Sequence, residues 1–264
     1  MPEFTRRHPR RFPALAFALS CGVMSLSTSA GETSLTLGAE YSSGDYGTAS
    51  TTRMWYFPAT FKYETERSMM SLTIPFVTVE GTGNVVASGG TQGMPRTTTT
   101  QAITTESGLG DIELAASHLL VRTDDDWRLD LGGRIKFGTA DEQDNLSTGE
   151  DDVAIELDLE KAFARNSVFG TVGYKVLGDP PGINYDNVFY GSAGFSHRLD
   201  ATRDAGMEWY VQQAPLDGAE GKSELTLFLS GKPAPQTRLT GYLLAGFADG
   251  SPDWGLGVTL KLSR

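Results

Sequence analysis

Apolar and polar side chains alternate along almost the whole chain after residue 30. In residues 127–138, for example, one alternate set reads Trp, Leu, Leu, Gly, Ile and Phe, and the other reads Arg, Asp, Gly, Arg, Lys and Gly. A period of two residues is typical of β-strands with one apolar and one polar face, and no sustained 3.6-residue period of a helix accompanies it. The pattern therefore predicts an all-β protein.

Most of the alternating segments have the length needed to cross a bilayer at a tilt, about 9–11 residues. No apolar run beyond the first thirty residues approaches the length of a membrane-spanning helix. The twelve predicted strands are 33–43, 52–64, 68–80, 109–122, 127–138, 152–164, 167–177, 187–199, 206–214, 223–232, 236–248 and 253–263.

The connections between these segments alternate in length, although 200–205 is long for a turn and 249–252 is short for a loop. Short periplasmic turns that alternate with longer extracellular loops are typical of an up-and-down barrel with both termini in the periplasm. The fold of a two-sheet sandwich does not require this alternation. We therefore predict a transmembrane up-and-down antiparallel β-barrel of about 12 strands. The short turns are 65–67, 123–126, 165–166, 200–205 and 233–235, and the longer loops are 44–51, 81–108, 139–151, 178–186, 215–222 and 249–252.

The apolar face of the alternation carries aromatic rings near the strand ends. Amphipathic rings favour the headgroup level of a bilayer, so this face is predicted to meet lipid; the alternative is a soluble sandwich core. The predicted outer girdle comprises Tyr41, Trp55, Phe76, Phe137, Phe189, Phe247 and Trp254, and the inner girdle comprises Tyr63, Trp127 and Phe163.

The opposite face carries basic and acidic side chains in nearly equal number, which predicts a polar lumen. Basic residues of strand 127–138 are expected to face carboxylates of strand 152–164, because opposite charges on paired strands attract and fix register. Two interpretations stay open: a charge network that plugs or stiffens the barrel, and a pore constriction with a transverse field for polar solutes. The predicted pore-lining residues are Arg128, Arg134, Lys136, Glu156, Asp158, Glu160, Lys175, Arg198, Glu208, Glu224 and Arg238.

The first thirty residues have the order of a secretory signal peptide: a basic start, a short apolar core and small residues at 28–30. We expect residues 1–30 to be removed and residues 31–264 to form the barrel. The 22 basic and 33 acidic residues of the whole chain fall to 18 and 32 without this segment, a net charge of −14. Cys21 lies in the segment, so the mature chain is expected to form no disulfide.

Most of the acidic excess falls in the longer loops, where it predicts a solvated outer rim. A chain this acidic is a poor candidate for binding nucleic acid. Divalent cations held by rim carboxylates would bridge to lipopolysaccharide, but no compact metal-binding spacing occurs, so neither a metal site nor a cofactor is predicted. The expected partners are outer-membrane lipid, lipopolysaccharide, a small-molecule solute and, during insertion, the barrel-assembly machinery. The chain ends in Leu262, Ser263 and Arg264 rather than in the usual Phe or Trp, which weakens the expected recognition by that machinery.

Two histidines raise the possibility of a membrane-embedded lipid hydrolase. His118 and His197 fall on the lipid-facing parity. The neighbouring serines, Ser117 and Ser196, point to the other face, so only a serine from another strand could meet either imidazole. We therefore predict interfacial histidines, no catalytic residues and a protein that is not an enzyme.

Two prolines interrupt the simple strand pattern. Pro58 and Pro75 lie inside the second and third predicted strands, nearly equidistant from turn 65–67. Each lacks the backbone N–H of a strand residue, so the pair is expected at similar height on adjacent strands. They are either tolerated bulges or a weakened seam through which apolar solutes leave sideways. Whether loop 81–108 folds inward as a plug also stays open.

Several glycine-rich stretches resemble one family of bacterial barrels. They are SGLGDIELAASHLLV (107–121), LSTGEDDVAIELDLEKAF (146–163), VFGTVGYKVLGD (168–179), YGSAGFSHRLD (190–200) and GSPDWGLGVTLKL (250–262). Together they resemble the outer-membrane transporters named after the MetA pathway of phenol degradation. The resemblance implies an outer-membrane barrel that passes small solutes, aromatic or hydrophobic compounds among them, and it supplies no binding residues. The rival interpretation is a plugged structural or adhesive barrel.

Overall fold

The computed structural model describes residues 31–87, 93–95 and 102–264. They form a closed antiparallel β-barrel with a wall of 12 strands, as the alternation predicts. The predicted signal segment 1–30 lies outside the described residues and stays a prediction. Within the described ranges, no helix has the length and apolar character needed to span a bilayer.

The described residues form fifteen strands, and thirteen of these belong to the barrel sheet. The strands are β1 (Glu32–Gly44), β2 (Thr52–Glu64), β3 (Ser68–Gly81), β4 (Val85–Ala87), β5 (Gly93–Pro95), β6 (Thr104–Leu109), β7 (Ile112–Arg122), β8 (Trp127–Phe137), β9 (Asp152–Phe163), β10 (Asn166–Val176), β11 (Val188–Arg198), β12 (Arg203–Gln212), β13 (Lys222–Ala234), β14 (Thr237–Gly246) and β15 (Trp254–Ser263).

The wall follows chain order, and pairing of β1 with β15 closes it. Strands β6 and β7 share one place in the wall, because β3 pairs first with β6 and then with β7. Strands β4 and β5 form a separate two-stranded hairpin inside the long connection after β3. Counting β6 and β7 as one, the ring places β2 opposite β11.

The structure corrects three predicted boundaries. Strand β12 begins at Arg203 and β15 begins at Trp254, so the turn before β12 is shorter, and the loop before β15 longer, than the sequence indicated. Both exceptions to the alternation of connection lengths therefore disappear. Strand β6 begins at Thr104, so residues 104–108 belong to the wall and not to the loop predicted at 81–108.

A β-bulge breaks the strand that was predicted to run unbroken over 109–122. Phe76 of β3 pairs with Leu109, and Thr73 pairs with Glu113, so two β3 residues face three residues, 110–112. Pro75 lies at this point and has no N–H to donate, although its carbonyl accepts the Gly110 N–H at 2.9 Å. Because of the extra residue, Leu109 lies on the outer face, 64% exposed, while Asp111 and Glu113 both face the barrel interior.

The outer face is a continuous apolar surface. Ile155 is 56% exposed and Leu243 is 62% exposed, and rings cluster at the loop end, where Tyr41 lies 4.9 Å from Trp55 and 5.2 Å from Trp254 between centroids. Leaving one such side chain in water rather than burying it costs about 1.5–3 kcal/mol. A soluble monomer rarely exposes a patch of this extent, so the surface is suited to an apolar surrounding.

The interior is narrowed by aromatic rings that lie over glycines of a neighbouring strand. A Cβ atom at Gly173 would lie 2.3 Å from the Tyr190 ring, and one at Gly257 would lie 2.4 Å from the Tyr242 ring. Phe169 over Gly194 and Phe228 over Gly206 repeat the arrangement. Because glycine has no side chain, each large ring has room beside it, and the interior packs densely without strain.

Candidate functional site: the charged lumen and its plug

All eleven residues predicted to line the pore lie on strands of the wall, with their side chains on the inner face. The register supports this, since interior residues pair with interior residues: Asp130 with Asp158, Glu208 with Thr226, and Arg238 with Lys261. Their role in a pore stays a prediction, but the structure shows which of them it brings together.

Lys136 forms the most buried ion-pair cluster of the described residues. Its Nζ atom lies 2.9 Å from Asp111 Oδ2 and 3.2 Å from Asp152 Oδ2, with 5% of the lysine side chain exposed. Asp111 also accepts hydrogen bonds from the Ser147 hydroxyl at 2.5 Å and the Ala140 N–H at 3.0 Å. The bulge residue therefore ties the wall to loop 138–151.

Arg134 lies between carboxylates of both neighbouring strands. Its guanidinium is 3.4 Å from Glu113 on β7 and 3.8 Å from Glu156 on β9. Glu156 also accepts a 2.5 Å hydrogen bond from the Tyr190 hydroxyl of β11. Tyr190 is a site residue that was not predicted from the sequence, although its inward parity within strand 187–199 was a usable signal.

The predicted ion pairs between β8 and β9 account for only some of the observed ion pairs of β8. Lys136 and Arg134 do contact β9, but Arg128 forms its ion pair with Asp130, two residues along its own strand. Arg128 is opposite Glu160 in the register. Asp158 accepts a 2.5 Å hydrogen bond from the Thr171 hydroxyl, so this carboxylate is held by a neutral donor.

The remaining predicted residues lie on the other half of the ring. Arg238 is 2.9 Å from Asp204, which pairs in register with Arg198. The Lys175 ammonium lies 5.6 Å from the Tyr190 ring centroid, within the range of a cation–π contact. Glu224 is buried, and its Oε1 atom has no hydrogen-bond partner within the described part of the chain.

The hairpin β4–β5 crosses the loop end of the barrel and has two apolar faces. Val85 and Ala87 point to one wall, and Val86 and Met94 point to the other, because successive strand residues face opposite sides. We call the first contact set the β2–β3 cluster and the second the β11 cluster. The β2–β3 cluster contains Tyr46, Met54, Tyr56, Val77, Val79, Val85, Ala87, Ala140 and Leu146, and the β11 cluster contains Val86, Met94, Leu177, Tyr185 and Val188.

The two clusters together pack the described part of the hairpin between opposite walls of the barrel. Val86 and Met54 are completely buried, and the Tyr185 hydroxyl donates a 2.9 Å hydrogen bond to the Pro95 carbonyl. The described part of the long loop therefore folds inward, which answers the question that the sequence left open. A Cβ atom at Gly93 would lie 2.4 Å from Val85, so the hairpin has no room for a larger residue there.

Tyr46 anchors the first of the longer loops, residues 45–51, in the β2–β3 cluster. Its hydroxyl lies 3.0 Å from the Ser42 hydroxyl. Burial raises the pKa of the Tyr46 phenol above its ordinary value, because the phenolate would lose its hydration. The ring therefore stays neutral and contributes to the plug as an apolar group with one polar end.

Both histidines of the described residues lie near the short-turn end of the barrel wall and have polar partners on adjacent strands. His118 Nδ1 is 2.9 Å from the Ser68 hydroxyl, and His197 Nδ1 is 2.8 Å from Asn166 Oδ1. Ser68 of β3 is therefore a serine from another strand that meets an imidazole, the one case that the sequence left open. Across the described ranges, no cluster of three or more His, Cys, Asp or Glu residues is arranged to hold a metal ion.

No protein-family model matches the chain, and no curated protein matches its sequence. Its fold does match solved structures. The COG4313 outer membrane channel from Pseudomonas putida F1 has a TM-score of 0.69 at 14% identity and covers 96% of this chain and 100% of that one. The NanC porin has a TM-score of 0.56 at 11% identity and covers 87% of this chain and 98% of that one. At these identities the likeness concerns the fold, which is that of outer-membrane barrels.

Proposed function

We propose that this chain is an outer-membrane channel that passes small apolar solutes, aromatic compounds among them, past the hairpin β4–β5. The observation that carries the proposal is the plug itself, which is apolar on both faces in a barrel whose interior is otherwise charged. A small apolar solute is the ligand that can replace hairpin side chains in the two clusters without leaving a buried polar group unpaired.

The plug is built to move more easily than the wall. An isolated two-stranded hairpin is marginally stable at best, and β4 and β5 have three residues each. Their described contacts with the barrel are apolar packing and the Tyr185–Pro95 hydrogen bond. Displacement of these six residues by a solute therefore breaks apolar packing above all.

Location in the outer membrane, export by the segment 1–30, and contact of the acidic rim with lipopolysaccharide belong to the same proposal. The apolar outer face supports it, as do the two solved structures of similar fold, which are a channel and a porin. The resemblance to transporters of the MetA phenol-degradation pathway agrees with an aromatic solute.

A plugged structural barrel is the second candidate, and the braced interior favours it. Lys136 and Glu156 are 4% and 2% exposed, so the charged band leaves little free cross-section at that level. In this alternative the hairpin never leaves the mouth, and the ion pairs stiffen a closed wall.

Conductance in planar bilayers separates the two candidates. We expect the purified chain to open in discrete steps, and Val86→Asp to raise the open fraction, because a carboxylate cannot stay in the β11 cluster. Ile103→Asp is the matched control, since it adds the same charge to the same loop at an exposed position. Absence of conductance in both the unchanged chain and Val86→Asp would favour the structural barrel.

A further inference from the structure

Lys175 is a cation of the lumen that no carboxylate neutralises directly. Its register neighbours on β9 and β11 are Ala154 and Val188, so neither adjacent strand offers an acidic partner at its level. Among the described residues no carboxylate forms an ion pair with Lys175, and its ammonium lies 5.6 Å from the Tyr190 ring centroid. An ammonium with only a ring face beside it keeps its hydrogen-bond donors for another partner.

The carboxylates whose charge reaches Lys175 are held by other cations. These carboxylates are Asp152 and Glu113. Asp152 lies 3.2 Å from the Lys136 ammonium, and Glu113 lies 3.4 Å from the Arg134 guanidinium. The acidic groups on β7 and β9 are therefore engaged by β8, and Lys175 of β10 stands beside them as a positive group without an acidic partner.

Two further donor groups lie on the strands that follow Tyr190 around the wall. Tyr190 pairs in register with Gln212 of β12, and Gln212 pairs with Lys222 of β13. The Gln212 carbonyl oxygen accepts the Tyr210 hydroxyl at 2.8 Å, so the amide nitrogen is the end that donates to a solute. The charge of Lys175 acts on Lys222, which places both ammonium groups on the same side of the lumen.

The β11 cluster adjoins these donors on the loop side. Val188, the register partner of Lys175, is completely buried in that cluster, and Leu177 is the next inward residue of β10. Two residues of a strand span roughly 7 Å, which is comparable to the length of a benzoate ion. An aromatic ring among the cluster residues would therefore hold a carboxylate at the level of the Tyr190 ring, between the donors.

We propose that the solute is a small aromatic carboxylate, whose ring enters the β11 cluster while its carboxylate accepts hydrogen bonds from Lys175, Gln212 and Lys222. The inference rests on the proposed channel function and adds a carboxylate to the aromatic solute class. A carboxylate that leaves water needs several donors to replace its hydration, and charge-assisted hydrogen bonds are the strongest available. A neutral arene gains only the contact of the ring, and acetate gains only the contact of the charge.

The experiment measures binding and conduction separately. Benzoate binding to the purified chain in detergent micelles is measured by isothermal titration calorimetry. Conduction is measured in planar bilayers, where benzoate should interrupt the KCl current while it occupies the site. Lys175→Met removes the ammonium and keeps a side chain of similar length. Lys62→Met is the matched control, because it removes a lumen ammonium that is paired with Glu64 at 3.2 Å.

We expect Lys175→Met to weaken benzoate binding about tenfold or more, the effect of losing a hydrogen bond to a charged group, and to shorten the current interruptions. Lys175→Arg, which keeps the charge, should retain most of the binding, and Lys62→Met should bind benzoate like the unchanged chain. Acetate should bind the unchanged chain about tenfold more weakly than benzoate or worse, because it buries no ring. Benzyl alcohol, which has the ring without the charge, should bind the unchanged chain and Lys175→Met alike.

Two outcomes would overturn the carboxylate site and leave the channel in place. One is equal benzoate binding by the unchanged chain and Lys175→Met. The other is binding of benzyl alcohol but not of benzoate by the unchanged chain, a comparison that does not depend on the folding of any variant. Absence of KCl current from the unchanged chain, with benzoate binding that requires Lys175, would instead refute the proposed channel function and support the carboxylate site alone.

Discussion

Lys136 of β8 lies 2.9 Å from Asp111, a residue of the β-bulge between β6 and β7. Asp152 holds the same ammonium from the other side at 3.2 Å. The three strands around the bulge are thus joined by one buried cation between two carboxylates. Such a cluster is costly to disrupt, because removal of one member leaves an unpaired buried charge.

Replacement of Lys136 by Met should destabilise the barrel. The two carboxylates left in the interior repel each other, and the expected loss is about 3–5 kcal/mol in the free energy of unfolding. Urea titration of protein refolded in detergent micelles measures it. Lys161→Met is the control, because its partner Asp125 is largely exposed and exposed pairs contribute about 0–1 kcal/mol; equal losses in the two variants would contradict the proposed energetic role of the cluster.

Replacement of Gly173 by Ala should displace the Tyr190 ring. The new Cβ atom would lie 2.3 Å from that ring, and overpacking of this kind costs about 1–3 kcal/mol. The same titration measures the loss. Gly241→Ala provides the comparison, since the nearest heavy atom to its Cβ would be 4.0 Å away, and this variant should be as stable as the unchanged chain or slightly more so.

Replacement of Tyr185 by Phe should make the plug open more often. The change removes the hydrogen bond to the Pro95 carbonyl, worth about 0.5–1.5 kcal/mol, and keeps the ring in the β11 cluster. Single-channel recording should show a higher open fraction with the same open conductance. Tyr174→Phe, a change of the same kind on the outer face next to Phe189, should leave the open fraction as it was.

Replacement of Ser68 by Ala tests whether the Ser68–His118 pair is a catalytic dyad. We expect no ester hydrolysis above the detergent blank from either the unchanged chain or the variant. The reason is that the Ser68–His118 hydrogen bond only satisfies two polar groups at the interface. Hydrolysis of a p-nitrophenyl acyl ester by the unchanged chain, lost in Ser68→Ala, would restore the lipid-hydrolase interpretation.

The wall of the barrel could be predicted from the sequence because its strands and their two faces depend on residues that are near each other in the chain. Side chains of alternate parity must face different surroundings, so Trp127, Leu129 and Leu131 indicated one face of β8, and Arg128 and Arg134 indicated the other. Chain order then determined the neighbours. The register of Pro58 opposite Pro75 followed from simple counting from turn 65–67, since that hairpin contains no bulge.

The plug and the exact ion pairs could not be predicted, because both depend on contacts that parity does not determine. Parity places Arg128 on the inner face but does not choose between Glu160 across the hairpin and Asp130 on its own strand. Parity placed Asp111 and Glu113 together on the inner face, but it did not indicate the bulge at 110–112, which leaves Leu109 of β6 on the outer face. Val85, Val86 and Met94 lie in a stretch of weak pattern, and their burial depends on two walls distant in the chain.

This dependence on two walls has a consequence for biogenesis. The hairpin β4–β5 needs Met54 and Val77 on one side and Leu177 and Val188 on the other, and these surfaces face each other only after β15 has paired with β1. The hairpin is made early in the chain and can dock only at the end of assembly. A newly closed barrel therefore passes through a stage in which the hairpin has not yet docked, and docking of the hairpin is the last step in the assembly of the interior.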